Sequence, residues 1–160
     1  MAETPQSLVE RLRAEGEKTS AVFRQLEEPD WERVVYADGE NWTVRQLLAH
    51  FITAEVGIEN LIRNVLQGGE GASPDFDIDR YNSRQVAKHT HSQPDILIAM
   101  FSEQRARTIN LVAGMEAADL LRVGRHPFLG VASLSDIIKL VYRHNQIHQR
   151  DLRRGIDAAA

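Results

Sequence analysis

The stretch LSDIIKLVYRHNQIHQRDLRR, residues 134–154, decides the fold. Leu134, Ile137, Ile138 and Val141 recur at spacings of three and four, the period of a helix with one buried face. Ser133 stands before it as an N-cap, and Gly155 reads as the C-cap that ends it. The same sector of the wheel continues into His144 and His148, about 40° apart. Asp151 follows three residues later on that side. A helix whose apolar stripe runs into two imidazoles must pack against other helices, and those helices must supply whatever satisfies the imidazoles.

The rest of the chain provides them. Thr4 and Pro5 open a first helix with Leu8, Val9, Leu12, Val22, Phe23 and Leu26 as its stripe. Glu27–Pro29 end it. Thr43 caps a second helix, with Val44, Leu47, Leu48, Phe51, Ile58, Leu61, Ile62 and Val65 along one side and Gly68-Gly69 as its stop. Ser92 and Pro94 open the third long helix. Between helices one and two, Val34–Tyr36 reads as a possible extended stretch and Asp38-Gly39 as a turn. Between helices two and three, Asp79 caps a shorter helical piece, RYNSRQVAKH, and Ala117–Leu121 reads as a short turn after the third helix. No pair of strands and no internal repeat stands out. The weak tails are the first few residues and Asp157–Ala160.

Four amphipathic stripes of this kind bury one another most economically as an all-α four-helix bundle, a single domain over residues 1–160. The connection from Gly68 to Gln93 is too long for a simple hairpin and predicts a crossover between helices two and three.

Three histidines are the candidate chemistry. Two imidazoles at i, i+4 can reach one ion. Asp151 is placed to accept the second ring N–H of a ligand histidine and fix its tautomer. His50, on the second helix, lies at the edge of the stripe with Leu47, Ala54 and Leu61. Its plain reading is a partly buried polar side chain; its functional reading is a third ligand. Three neutral imidazoles can hold a divalent ion and leave a position for water or substrate. Zinc is the first expectation, and nickel, iron and manganese also accept imidazole. Glu55 reads either as a catalytic proton acceptor or as the partner of a core-edge arginine. His89 and His91 read as solvent-facing, His126 as a turn or capping residue, and Trp42 as a plug under the end of the bundle.

Composition removes other chemistries. The chain has 160 residues with 19 basic and 23 acidic side chains, a formal charge of −4, so no basic field is available for a nucleic-acid backbone. It has no cysteine, which excludes disulfides, thiolate ligands and a cysteine nucleophile. No apolar run approaches a membrane span, and the N-terminal residues lack an apolar signal core, so the expected location is the cytoplasm and no membrane partner is expected.

The ordered motifs resemble a known family. NWTVRQLLAHFITAE, with Trp42-Thr43 leading to His50 and Ala54-Glu55, resembles the second-helix signature of the DinB-like superfamily. RHNQIHQRDL resembles its last-helix HxxxH, and DRYNSRQVAK the stretch after its second helix. The resemblance implies a four-helix bundle, metal ligands at His50, His144 and His148, and a homodimer. It also implies a small-molecule substrate attacked by water or by an external low-molecular-weight thiol, as in mycothiol-dependent maleylpyruvate isomerases and bacillithiol transferases. The runner-up is a non-catalytic stress-response or binding module with a structural metal or none. Phe23 and Leu152, near helix ends, are the apolar residues expected at the dimer surface.

Overall fold

A computed structural model describes residues 2–159; Met1 and Ala160 of the expected domain lie outside the described residues. Five helices dominate: α1 (Pro5–Arg24), α2 (Val44–Leu66), α3 (Ile78–Ala87), α4 (Pro94–Ala113) and α5 (Leu134–Ala159). The long ones are α1, α2, α4 and α5, and they form the four-helix bundle. Their starts follow local chemistry. Thr4 and Thr43 each accept from the third backbone N–H of their helix, and Ser133 accepts from Asp136 N at 3.1 Å. Two starts shift from the sequence reading. Asp77, not Asp79, caps α3, and Gln93 precedes Pro94 at the start of α4.

Two short β-hairpins, which helical periodicity did not reveal, bridge the helices. β1 (Val34–Ala37) pairs antiparallel with β2 (Glu40–Thr43), and β3 (Val123–His126) with β4 (Gly130–Ser133). Asp38-Gly39 turns the first, both residues with positive φ (51° and 79°), the backbone a tight two-residue hairpin demands. With only four residues per strand and side chains alternating in and out, neither strand carries enough pattern to compete with the helices around it.

The hairpins expose a repeat of elements. Each half of the chain runs long helix, 3₁₀ turn, hairpin, long helix. Glu27 and Glu116 begin the two 3₁₀ turns, each closed by an aspartate three residues on, Asp30 or Asp119. Arg33 O receives the first N–H of α2, and Arg122 O receives that of α5. The two long helices of the first half lie diagonally: α1 and α2 each pack chiefly against α4 and α5, and reach each other across the core through Phe23 and Phe51. The chain between the halves is the crossover, carrying α3. It is tied to the second hairpin by Arg125 N to Glu70 O and Ala72 N to Arg125 O, both 2.8 Å. A side chain at Gly71 (φ 89°) would come within 2.6 Å of the Arg125 backbone, so this contact requires glycine.

The bundle interior has two apolar ends. One gathers Leu12, Ile62, Leu134, Ile137 and Ile138; the other Phe23, Phe51, Trp42, Phe101 and Leu152. Phe23 and Leu152 are therefore core residues of a single chain and offer no dimer surface. Polar pairs also sit within the bundle, Arg105 with Glu55 fully buried, and Thr19 and Glu15 buried beneath the half-buried Gln149 at 2.7 Å and Gln146 at 2.9 Å. Nor does Gly155 end the last helix. α5 continues to Ala159, and Gly155 lies where a Cβ would approach Val35 Cγ1 to 2.6 Å. Its small size lets β1 pack on α5. Asp157–Ala159 are thus part of that helix, while Ala160 lies outside the described residues.

Candidate metal centre

Helix α2 turns His50 inward, 1% exposed, and α5 turns His148 inward beside it, with His144 one turn earlier and half-buried. The three imidazoles meet. His50 Nε2 and His144 Nε2 are 3.1 Å apart, and the ring centroids of His144 and His148 lie 4.6 Å apart. Trp42, on β2 just before α2, packs its ring at 4.6 Å and a 44° tilt against the His50 ring, which is what this plug residue does beyond filling the bundle end.

A fourth group completes the cluster. Asp38, in the first hairpin turn, sets its carboxylate among the three Nε2 atoms. Oδ2 accepts from His50 at 2.7 Å and lies 3.0 Å from His144, and Oδ1 accepts from His148 at 2.9 Å. Sequence reasoning treated Asp38 as a turn residue only. The one available signal was the Asp38-Gly39 turn pair, and nothing in that signal says where the hairpin docks. Asp38, His50, His144 and His148 each offer a ligand atom within 4.8 Å of the others.

The electrostatics follow from this crowding. Burial pushes the Asp38 carboxyl up, but the hydrogen bonds from His144, His148 and His50 outweigh it and hold Asp38 well below the usual carboxylate range. Burial likewise disfavours the charged form of His50, and despite the Asp38 bond the ring is held below its usual value. For His148 burial acts the same way, yet its bonds to Asp38 and Asp151 prevail and raise it. Asp151 Oδ2 lies 2.9 Å from His148 Nδ1. That arrangement leaves Nε2 as the ligand atom whenever Nδ1 carries the proton. His50 Nδ1 has no partner among the described residues, so its tautomer is not fixed in this way.

The donor set fits a divalent ion. Four ligand atoms around a tetrahedral ion with bonds of about 2.0–2.2 Å stand roughly 3.3–3.6 Å apart. The four ligand atoms lie within 4.8 Å of one another, and the contacts now at 2.7–3.1 Å would open by about 0.2–0.9 Å to seat the ion.

Glu55 is not brought to this cluster. Both its oxygens are engaged by Arg105, Nε to Oε1 at 2.9 Å and Nη2 to Oε2 at 3.2 Å, and the pair is buried. The structure thus seats Glu55 as the partner of a core arginine rather than as a proton acceptor at the histidines. His126 closes the second hairpin: its Nδ1 accepts from the backbone of Phe128 and Leu129 at 3.0 and 3.2 Å. Burial, with the nearby His144 ring, pushes it down to about 4, so it stays neutral and keeps accepting. His91 is exposed, and His89 is half-buried with Nδ1 3.1 Å from Ser92 Oγ.

A cavity of about 800 Å³ opens beside the cluster, walled by α2, α3, the crossover, the second hairpin turn and α5. Asp38, His50, His144, His148 and His126 all face it.

The DinB superfamily profile matches residues 11–152. This chain belongs to the DinB superfamily. No functionally curated protein matches its sequence. Among solved structures, it is similar to YfiT from Bacillus subtilis, described as a probable metal-dependent hydrolase with an unusual four-helix bundle topology. The two are 18% identical with a TM-score of 0.75 over 96% of this chain and 87% of YfiT. It is also similar to a mycothiol-dependent maleylpyruvate isomerase, 18% identical with a TM-score of 0.71 over 92% of this chain. This chain spans only 60% of that isomerase's length. The colibactin self-resistance protein ClbS, solved in complex with a double-stranded DNA, is 11% identical with a TM-score of 0.76, each chain covered to 96%. At these identities the likeness is one of fold. No helix of the described residues is long and apolar enough to cross a membrane.

Proposed function

We propose that this DinB superfamily member is a metal-dependent enzyme acting on a small molecule, with His50, His144 and His148 holding a divalent ion, zinc in the first instance, and Asp38 as a fourth donor. The observation that carries the reading is the convergence of three Nε2 atoms from α2 and α5 on one carboxylate, at the wall of a cavity large enough for a small molecule. An ion held there supplies Lewis acidity, which favours the anionic form of water or of an external low-molecular-weight thiol. The chain's own part is to hold the imidazoles. Asp151 fixes His148, Trp42 backs His50, and the apolar wall of the cavity keeps bulk water from the substrate. The names of YfiT and the isomerase support metal dependence and small-molecule chemistry as a class, hydrolytic or thiol-dependent. The reading places the protein in the cytoplasm, as a homodimer, with no nucleic acid or membrane among its partners. A formal charge of −4 and the two aspartates at the cavity argue against a DNA backbone as its ligand.

One observation favours a second reading. Four protein donors with no free position are the pattern of structural metal sites. If Asp38 stays in place, the ion serves stability, as in a non-catalytic stress-response or binding module. Elemental analysis of purified protein, then assays of ester hydrolysis and thiol transfer with and without chelator, tests the first reading. A stoichiometric metal with no chelator-sensitive turnover of any substrate in either class would favour the second.

A further inference from the structure

We infer that the cavity beside the histidines selects an uncharged, largely apolar small molecule and rejects organic anions; this rests on the enzyme reading above and names its substrate class. Charge carries the inference. Among the described residues that line the cavity, none is lysine or arginine. Its ionisable residues apart from histidine are Asp38 and Asp79. The imidazole cluster offers little net attraction for an anion, because Asp38 already bonds all three rings and Asp151 a fourth ring nitrogen. Arg80, Arg125, Lys139 and Arg143 each adjoin a lining residue in sequence, but none of them lines the cavity. Arg63 bonds Glu59 at 2.9 Å, and Arg122 bonds Val65 O at 2.7 Å. With an ion bound, Asp38 offsets part of its charge at the cluster; away from the ion the walls offer an acid no counter-charge, and a buried anion without a cationic partner is costly.

The walls state what is accepted. Ile58, Leu61, Ala72 and Leu140 form the inner lining. Phe128 (80% exposed), Ile147 (55%) and Phe76 (43%) also line the cavity and so mark its mouth as an apolar rim. Apart from the histidines, Asp38 and Asp79, the polar side chains at the cavity are the amides of Asn60, Asn64 and Asn82 and the phenol of Tyr81. Tyr81 OH donates to Thr53 O, and Asn64 Oδ1 accepts from Gly71 N, so both are committed to the fold. Asn82 is different. It is 8% exposed, lines the cavity, and its Oδ1 has no hydrogen-bond partner among the described residues. An unpaired amide oxygen of this kind suits a single neutral donor on an otherwise apolar ligand.

A matched pair of dyes tests this. N-Phenyl-1-naphthylamine is neutral, and 8-anilino-1-naphthalenesulfonate is the same skeleton with a sulfonate. Fluorescence titration of the full chain, with zinc added and after chelation, is expected to show the neutral dye binding at least about tenfold tighter in both states. Ile147→Lys, at an exposed position, is expected to narrow or invert that ratio, and Phe128→Asp to weaken the neutral dye. Equal affinity for the two dyes, a ratio unmoved by Ile147→Lys, or no binding of the neutral dye would each overturn the inference. Metal content measured on the same samples keeps the outcomes apart: protein that holds no metal yet prefers the neutral dye refutes the metal reading and leaves the cavity's selectivity standing.

Discussion

Arg105 grips Glu55 with two hydrogen bonds inside the bundle, and both side chains are less than 5% exposed. Arg105 also donates to Leu12 O at 3.0 Å, and its guanidinium passes Gly16 so closely that a Cβ there would stand 2.9 Å from Nη1. The pair therefore joins α1, α2 and α4. Glu55→Ala leaves a buried guanidinium without its anion and is expected to cost about 3–5 kcal/mol in denaturant unfolding. Metal content of whatever protein remains folded should match wild type. Activity lost at unchanged stability would restore Glu55 as a catalytic group.

The histidines should behave in the opposite way. His50→Ala, His144→Ala and His148→Ala each remove one donor and leave two apolar core clusters intact. Alanine is also the better helix former. Each variant is expected to lose stoichiometric metal while keeping its helical circular dichroism and a cooperative melt. A variant that binds metal as tightly as wild type shows that its residue is no ligand; unfolding of all three shows that the metal is structural.

Asp38 decides whether the site can open. Glycine accepts the φ of 51° at this position, so Asp38→Gly removes the carboxylate without straining the turn. In cobalt-substituted protein the visible spectrum reports coordination. The variant is expected to bind azide with a clear spectral change at concentrations that leave wild type unaffected. Identical spectra and identical azide responses in the two proteins would remove Asp38 from the donor set.

Glu59 sets an acid limit on stability. Burial pushes its carboxyl up, but hydrogen bonds from Gln104, Arg107 and Arg63 outweigh this and hold it below its ordinary value. A carboxyl depressed in the folded state contributes stability that is present above its unfolded value, about 4.3, and lost as pH falls through the lower folded value. Melting temperatures from pH 6 to pH 3 should fall less steeply for Glu59→Gln than for wild type. Parallel curves would show that the glutamate is not so coupled.

The sequence made the helices and the three histidines legible for the same reason: both are written at helical spacing. Stripes from Leu8 to Leu26 and from Val44 to Val65 mark buried faces, and His50, His144 and His148 extend such faces. Asp38 was illegible because its position depends on where a hairpin docks, which Gly155 and Val35 settle on a helix more than a hundred residues away. The repeat was hidden because little beyond Glu-x-x-Asp, an Arg-Val pair and a Thr or Ser cap is shared between the halves. Glu55 had two readings, and only packing could choose the arginine. Phe23 and Leu152 misled as surface residues because proximity to a helix end does not determine exposure.

Because the helices of each half lie across the bundle from one another, neither half owns a complete interior. Asp38 and His50 come from the first half, His144 and His148 from the second. An ion at this point is therefore a clasp between two interlocked segments. A chain cut in the crossover, between Gly68 and Gln93, should yield two fragments that stay unstructured apart and reassemble on mixing, and added zinc should tighten that reassembly.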